Sequence, residues 1–125
     1  MTLIERIHGE INSYKTLKDG WDGDGTQLIL RKTIHNAINF VNSLGNLLEL
    51  IDEDYIYPTG DGTIVIDFQN DNGDLVSVEI RESTIGYFFE TEGHIKTVDS
   101  DKIINNQYLS DNLKSLIQEI YEPNI

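Results

Sequence analysis

The sequence predicts an α+β fold. Apolar residues recur at helical spacing near both ends of the chain, the apolar period changes from 3.6 to 2 after Tyr55, and an Asn-Gly pair separates two alternating segments. At 125 residues, the chain is expected to form a single α+β domain over residues 1–125. The expected order is two N-terminal helices, a four-stranded antiparallel meander and a C-terminal helix. Helices are expected on one face of the sheet, because the outward strand positions are mostly polar.

Leu3, Ile4, Ile7, Ile11, Tyr14 and Leu17 place a first amphipathic helix over residues 2–18, despite Gly9. The stretch Asp19–Gly25 holds three Gly and three Asp and interrupts it. A second helix follows, with Ile34, Ala37, Ile38, Val41 and Leu44 on one face, Thr33 as N-cap and Gly45 as the left-handed residue after its end. Residues 46–53 extend that helix or form a separate turn. Strands are then expected at 64–69 and 76–81, joined through Asn72-Gly73, with further strands at 85–90 and 94–98. Residues 99–109 are polar and expected as a loop. Leu113, Leu116, Ile117 and Ile120 mark a last helix over about 110–121, with Pro123 beyond its end.

The net charge of −13 is unevenly distributed. Residues 1–45 carry five acids and five bases, while residues 46–125 carry seventeen acids and four bases. Such a surface repels phosphates and anionic lipid, so direct nucleic-acid binding and membrane binding are not expected; a basic protein is the partner it would meet fastest. Cysteine is absent, which removes disulfides, thiolate nucleophiles and Cys-type zinc sites. No apolar run approaches the roughly 18 residues of a membrane span, and no signal pattern opens the chain, so cytoplasmic residence is the expectation.

The Asp-Gly loop is the first place to test for a cation. Counted as an EF-hand from Asp22, positions 1 and 3 are Asp22 and Asp24, but Thr26, Gln27 and Thr33 stand where an oxygen ligand, Gly and Glu are needed. Asp19, Asp22 and Asp24 remain only as weak metal candidates, against a structural loop, Gly20, Trp21, Asp22 and Gly23, whose Trp21 folds back on the core. A helix rather than a strand precedes these glycines, so no phosphate cradle is expected. His8, His35 and His94 are scattered, and no serine sits in a nucleophile elbow. No catalytic residue and no cofactor are therefore expected. Alternation places Asp67, Gln69, Ser77, Glu79, Arg81, Phe88 and Glu90 on the outward sheet face. There, Asp67, Glu79, Phe88 and Glu90 are the binding-face candidates, an aromatic among acids. Phe88 lying under the 99–109 loop, or in a homodimer contact through the sheet face, is the competing account.

The segments Leu17–Gly23, Ile34–Val41 and Tyr57–Ile66 together resemble a group of small uncharacterised bacterial proteins. In that group a Gly-Trp-Asp-Gly loop is followed by a helix, a proline, an Asp-Gly turn and a strand. The resemblance spans about residues 15–80 and rests mainly on Gly20–Gly23; Phe68 and Thr26 stand where the group often has Trp and a small residue. It implies a bacterial or phage origin and no catalytic residue. The functional expectation is a non-enzymatic acidic module that masks a basic protein, as antitoxins and immunity proteins do. The alternatives are a nucleic-acid mimic that occupies a DNA-binding protein and a metal-dependent module at Asp19–Asp24.

Overall fold

In the computed structural model, which describes residues 1–23 and 25–121, Thr2 opens the first helix, α1 (Leu3–Ser13). Its hydroxyl accepts from Glu5 N at 3.3 Å while the Glu5 carboxylate accepts from Thr2 N at 3.4 Å, a reciprocal cap. The helix ends earlier than its apolar pattern predicts. Ser13 and Thr16 donate their hydroxyls to the carbonyls of Glu10 (2.6 Å) and Ser13 (2.7 Å). Hydroxyls bonded back onto the chain compete with helical bonding, and Tyr14–Thr16 tighten into a 3-10 turn.

The second helix, α2 (Arg31–Asn42), starts before the predicted cap. Leu30 is the N-cap and supplies no side-chain bond, whereas Thr33 is a buried residue of the first turn. Packing rather than capping sets this boundary. Gly45 has φ +56°, the left-handed geometry expected after a helix end. Residues 45–50 and 53–55 form separate 3-10 turns.

Among the described residues the sheet has five strands, not four: β1 (Ile56–Pro58), β2 (Ile64–Gln69), β3 (Leu75–Ile80), β4 (Thr84–Thr91) and β5 (His94–Lys102). They lie in chain order, each antiparallel to the next. The unpredicted β1 is three residues long and ends in proline, a combination tolerated at a sheet edge. β5 also runs further than expected. Asp99–Lys102 were expected in a loop, yet they pair with Tyr87 down to Thr84. The long, well-formed β4 decides their conformation against weak intrinsic preference. A register shift lies in the β4–β5 pair at Phe89/Glu90. The β2–β3 turn closes over Asp71-Asn72, with Gly73 N donating to Asn70 O at 3.1 Å, and of the Asn-Gly pair Gly73 takes the positive φ, +86°. The last helix is α3 (Asp111–Tyr121). Asp24 and Pro123 lie outside the described residues.

One row of strand residues, Ile64, Ile66, Phe68, Val76, Val78, Ile80, Ile85 and Tyr87, joins a buried cluster with Ile7 and Ile11 of α1, Ala37, Phe40 and Val41 of α2, and Leu113, Ile117 and Ile120 of α3. Each such side chain stabilises the fold by roughly 1.5–3 kcal/mol through burial. Phe40 meets Phe68 edge-on at 6.5 Å between ring centres. Polar ties pin the layers together. Asn36 of α2 donates to the carbonyls of Arg81 and Glu82, both at 2.9 Å. Asn70 donates to Ile120 O at 2.8 Å, and Tyr121 OH to Gln69 O at 2.9 Å. Among the described residues, no helix is long and apolar enough to cross a membrane.

Candidate functional site

The strand positions that alternate with the core row form the other face of the sheet. Register places Tyr57, Val65, Glu79, Gly86 and Ser100 in one transverse row, Asp67, Ser77, Phe88 and Val98 in the next, and Gln69, Leu75, Glu90 and Ile95 in a third. The four binding-face candidates, Asp67, Glu79, Phe88 and Glu90, therefore share this face. Phe88 is flanked by Ser77 and Val98, and residues 99–102, expected in a loop, belong to β5 beside it.

A groove of about 360 Å³ runs over this face, with Tyr57 and Val65 at one end and Phe88 and Val98 at the other. Asp67 and Glu79 lie in it. Neither acid is idle. Asp67 accepts from the Ser77 hydroxyl at 2.5 Å. Burial pushes its carboxyl above the usual range, and that hydrogen bond only partly offsets the effect. Burial and the nearby Asp67 and Glu79 carboxylates push the Tyr57 phenol up.

Glu79 sits in a relay of fixed partners. Arg81 Nε and Nη2 reach its Oε1 at 2.9 and 2.6 Å, and the Thr63 hydroxyl donates to Oε2 at 3.1 Å. With the Thr63 proton committed to Glu79, Thr59 donates to Thr63 across 2.6 Å. The guanidinium lies close against Gly86: a Cβ built there would stand 2.6 Å from Arg81 Nη1. A strand-interior glycine reads as close approach, so Gly86 was the available signal for a site arginine. Tyr57, Leu75 and Val98, by contrast, carried no local mark. The acid density of the face is thus lower than a count of carboxylates suggests, since Arg81 neutralises Glu79 in place.

The chain that follows the Gly-Trp-Asp-Gly loop meets the β1–β2 turn. Gln27 N donates to Gly60 O at 2.8 Å, and Gly62, at φ +81°, lets Leu28 O approach to 3.0 Å of where a Cβ would stand. Within the Gly-Trp-Asp-Gly loop, Gly20 has φ +76°, and Gly23 N donates to Gly20 O at 3.0 Å. Trp21 does not cap the core as expected. It is half-exposed and outside the packed cluster, and its indole N–H reaches Gln27 O at 3.3 Å, closing the loop on itself. A second cleft of about 520 Å³ opens between this loop and the β1–β2 turn, bordered by Asp19, Asp61, Arg81 and Glu82. Arg81 borders both clefts.

Among the described residues, no three metal-ligating side chains gather in one place. The histidines are apart: His8 Nε2 lies 2.8 Å from Asn42 Oδ1, His35 stacks edge-on against Tyr108, and His94 is exposed at the start of β5. Compared with protein-family models, curated proteins and solved structures, the chain matches none.

Proposed function

We propose that the protein is a non-enzymatic binding module that masks a basic protein partner through the outward face of its sheet. In this reading all three helices pack on the inner face. The support is that the core row of the sheet shares one buried cluster with α1, α2 and α3, while Tyr57, Ile95 and Val98 on the opposite face are exposed. The observation that carries the reading is the apolar group of Leu75, Phe88, Ile95 and Val98 on that row. Val98 is 73% and Ile95 60% exposed, beside Glu90 and within an acidic half of the chain. Aromatic and aliphatic anchors with a charged rim are the anatomy of a protein interface, and the surplus negative charge selects a basic counterpart.

Nucleic-acid mimicry calls for acids at successive same-face strand positions, about 6.6 Å apart. Asp99 and Asp101 alone meet that spacing among the strands, so masking is the reading we retain.

The test is affinity capture from lysate of the encoding organism, with wild type compared with Phe88→Ser/Glu90→Lys. These positions avoid the internal partners of Asp67 and Glu79. A basic protein retained by wild type and lost by the variant is the expected result. Equal recovery by both proteins sinks the reading.

A further inference from the structure

The sheet has two edges of very different character. β1 is three residues long and ends in Pro58, which blunts it. β5 spans nine residues, and its only strand partner is β4. Among the described residues one side of its backbone faces no other strand; Ser100 N donates to Asp99 Oδ1 at 2.7 Å, a bond that an incoming segment would have to replace.

The side chains of β5 differ between its two faces. Ile95 and Val98 are on the outward face, opposite Glu90 and Phe88. Asp99 and Asp101 are on the other, opposite Tyr87 and Ile85; burial raises the Tyr87 phenol, and the two carboxylates add to the effect. Ser100 separates them. Lys96 falls at the register shift, and Lys102 ends the strand.

We propose that β5 is a strand-addition site for an extended basic segment of the partner protein, with apolar and cationic residues in alternation. This rests on the basic-partner reading and adds its mode of recognition. Main-chain hydrogen bonds would supply affinity and alternate side chains specificity. A segment in register with Val98–Asp101 would carry an apolar residue opposite Val98, any residue opposite Ser100, and Lys or Arg opposite Asp99 and Asp101. Its apolar side chain would extend the Phe88–Val98 surface; its cations would meet the two carboxylates on the other face. A second copy of this chain fits worse, because two molecules of charge −13 repel.

The test uses two synthetic peptides of equal composition at low salt, one containing Val-Arg-Thr-Arg-Val and the other Arg-Arg-Val-Val-Thr. Only the first puts both arginines on one face whichever way it runs. Binding is read by fluorescence anisotropy, and its location by hydrogen exchange of residues 94–102. The alternating peptide is expected to bind about tenfold tighter, a difference of about 1.4 kcal/mol, and to slow exchange in β5. Asp99→Lys/Asp101→Lys should abolish the preference. Val98→Thr, which keeps the strand shape, should weaken both peptides.

Equal affinity for the two peptides overturns the edge assignment. So does protection around Phe88 and Glu90 without protection of 94–102, although that result leaves the basic-partner reading standing. If neither peptide nor poly-lysine alters exchange anywhere on the sheet, the basic-partner reading itself fails. Protection of β5 that grows with protein concentration and needs no peptide assigns the edge to self-association and also overturns the proposal.

Discussion

Asn36 illustrates how one buried polar side chain can hold two layers together. It is 3% exposed, and its amide bonds two successive carbonyls of the β3–β4 turn. Asn36→Ala leaves those carbonyls without their donor and is expected to cost roughly 1–3 kcal/mol, read as a lower denaturation midpoint in urea at unchanged slope. Gly86 acts through space rather than through bonding. Gly86→Ala pushes its methyl against Arg81 Nη1, and the flexible guanidinium moves away. The Arg81–Glu79 pair is about two-fifths and one-third exposed, so its loss should cost less than about 1 kcal/mol. The more sensitive readout is the Arg81 Nε–H resonance, which should shift when its 2.9 Å bond to the Glu79 carboxylate is lost.

At the scale of elements, α1 depends on its first residue and the sheet on a compromise at Asp67. Thr2→Ala removes the reciprocal cap with Glu5 and should cost about 0.5–2 kcal/mol, detectable as a lower thermal midpoint. Asp67 has a carboxyl pKa raised by burial. The folded state therefore holds the proton more tightly than the unfolded chain, and protonation favours folding. This contribution is fully present below the unfolded carboxyl pKa and is lost as pH rises through the folded one. Asp67→Asn keeps a partner for the Ser77 hydroxyl without the charge. It should raise the thermal midpoint at pH 7, with the gain vanishing at acid pH. Asp74 has the opposite sign: bonds from Thr91 and Asn70 lower its pKa, so its contribution is present at neutral pH and lost in acid. A gain for Asp67→Asn that persists unchanged at pH 3 contradicts the burial account.

For the whole molecule, uncompensated charge is the dominant long-range term. Residues 46–125 hold a surplus of thirteen acids, and among the described residues few cations meet them at close range: Arg81 on Glu79 and Arg6 on Glu53. Self-repulsion of this kind is screened within about 8–10 Å at moderate ionic strength. The thermal midpoint is accordingly expected to rise as sodium chloride is raised from about 10 mM to 150 mM, where the Debye length falls from roughly 30 to 8 Å. Capture of a basic partner should weaken over the same range. A midpoint that falls with added salt indicates that local pairs outweigh the net charge.

Periodicity by itself determined the α+β class, the three main helices and the four longer strands, because an amphipathic segment must bury one face whatever its neighbours are. It also assigned Asp67, Glu79, Phe88 and Glu90 to one side of the sheet, since alternation along a strand is purely local. Tertiary structure alone decided what those residues meet. Glu79 and Arg81, two apart on one face, were in reach of each other by alternation alone, but no local pattern says that the guanidinium lies over Gly86 of the next strand or that Ser77 holds Asp67. Those two contacts come from register between strands. The same holds for β1, too short and too close to Pro58 to have a period, and for Asp99–Lys102, drawn into β5 by the strand beside them. The outward face was legible in the sequence as a set of residues. Its long open edge was not, because which strand ends the sheet depends on pairing between segments distant in the chain.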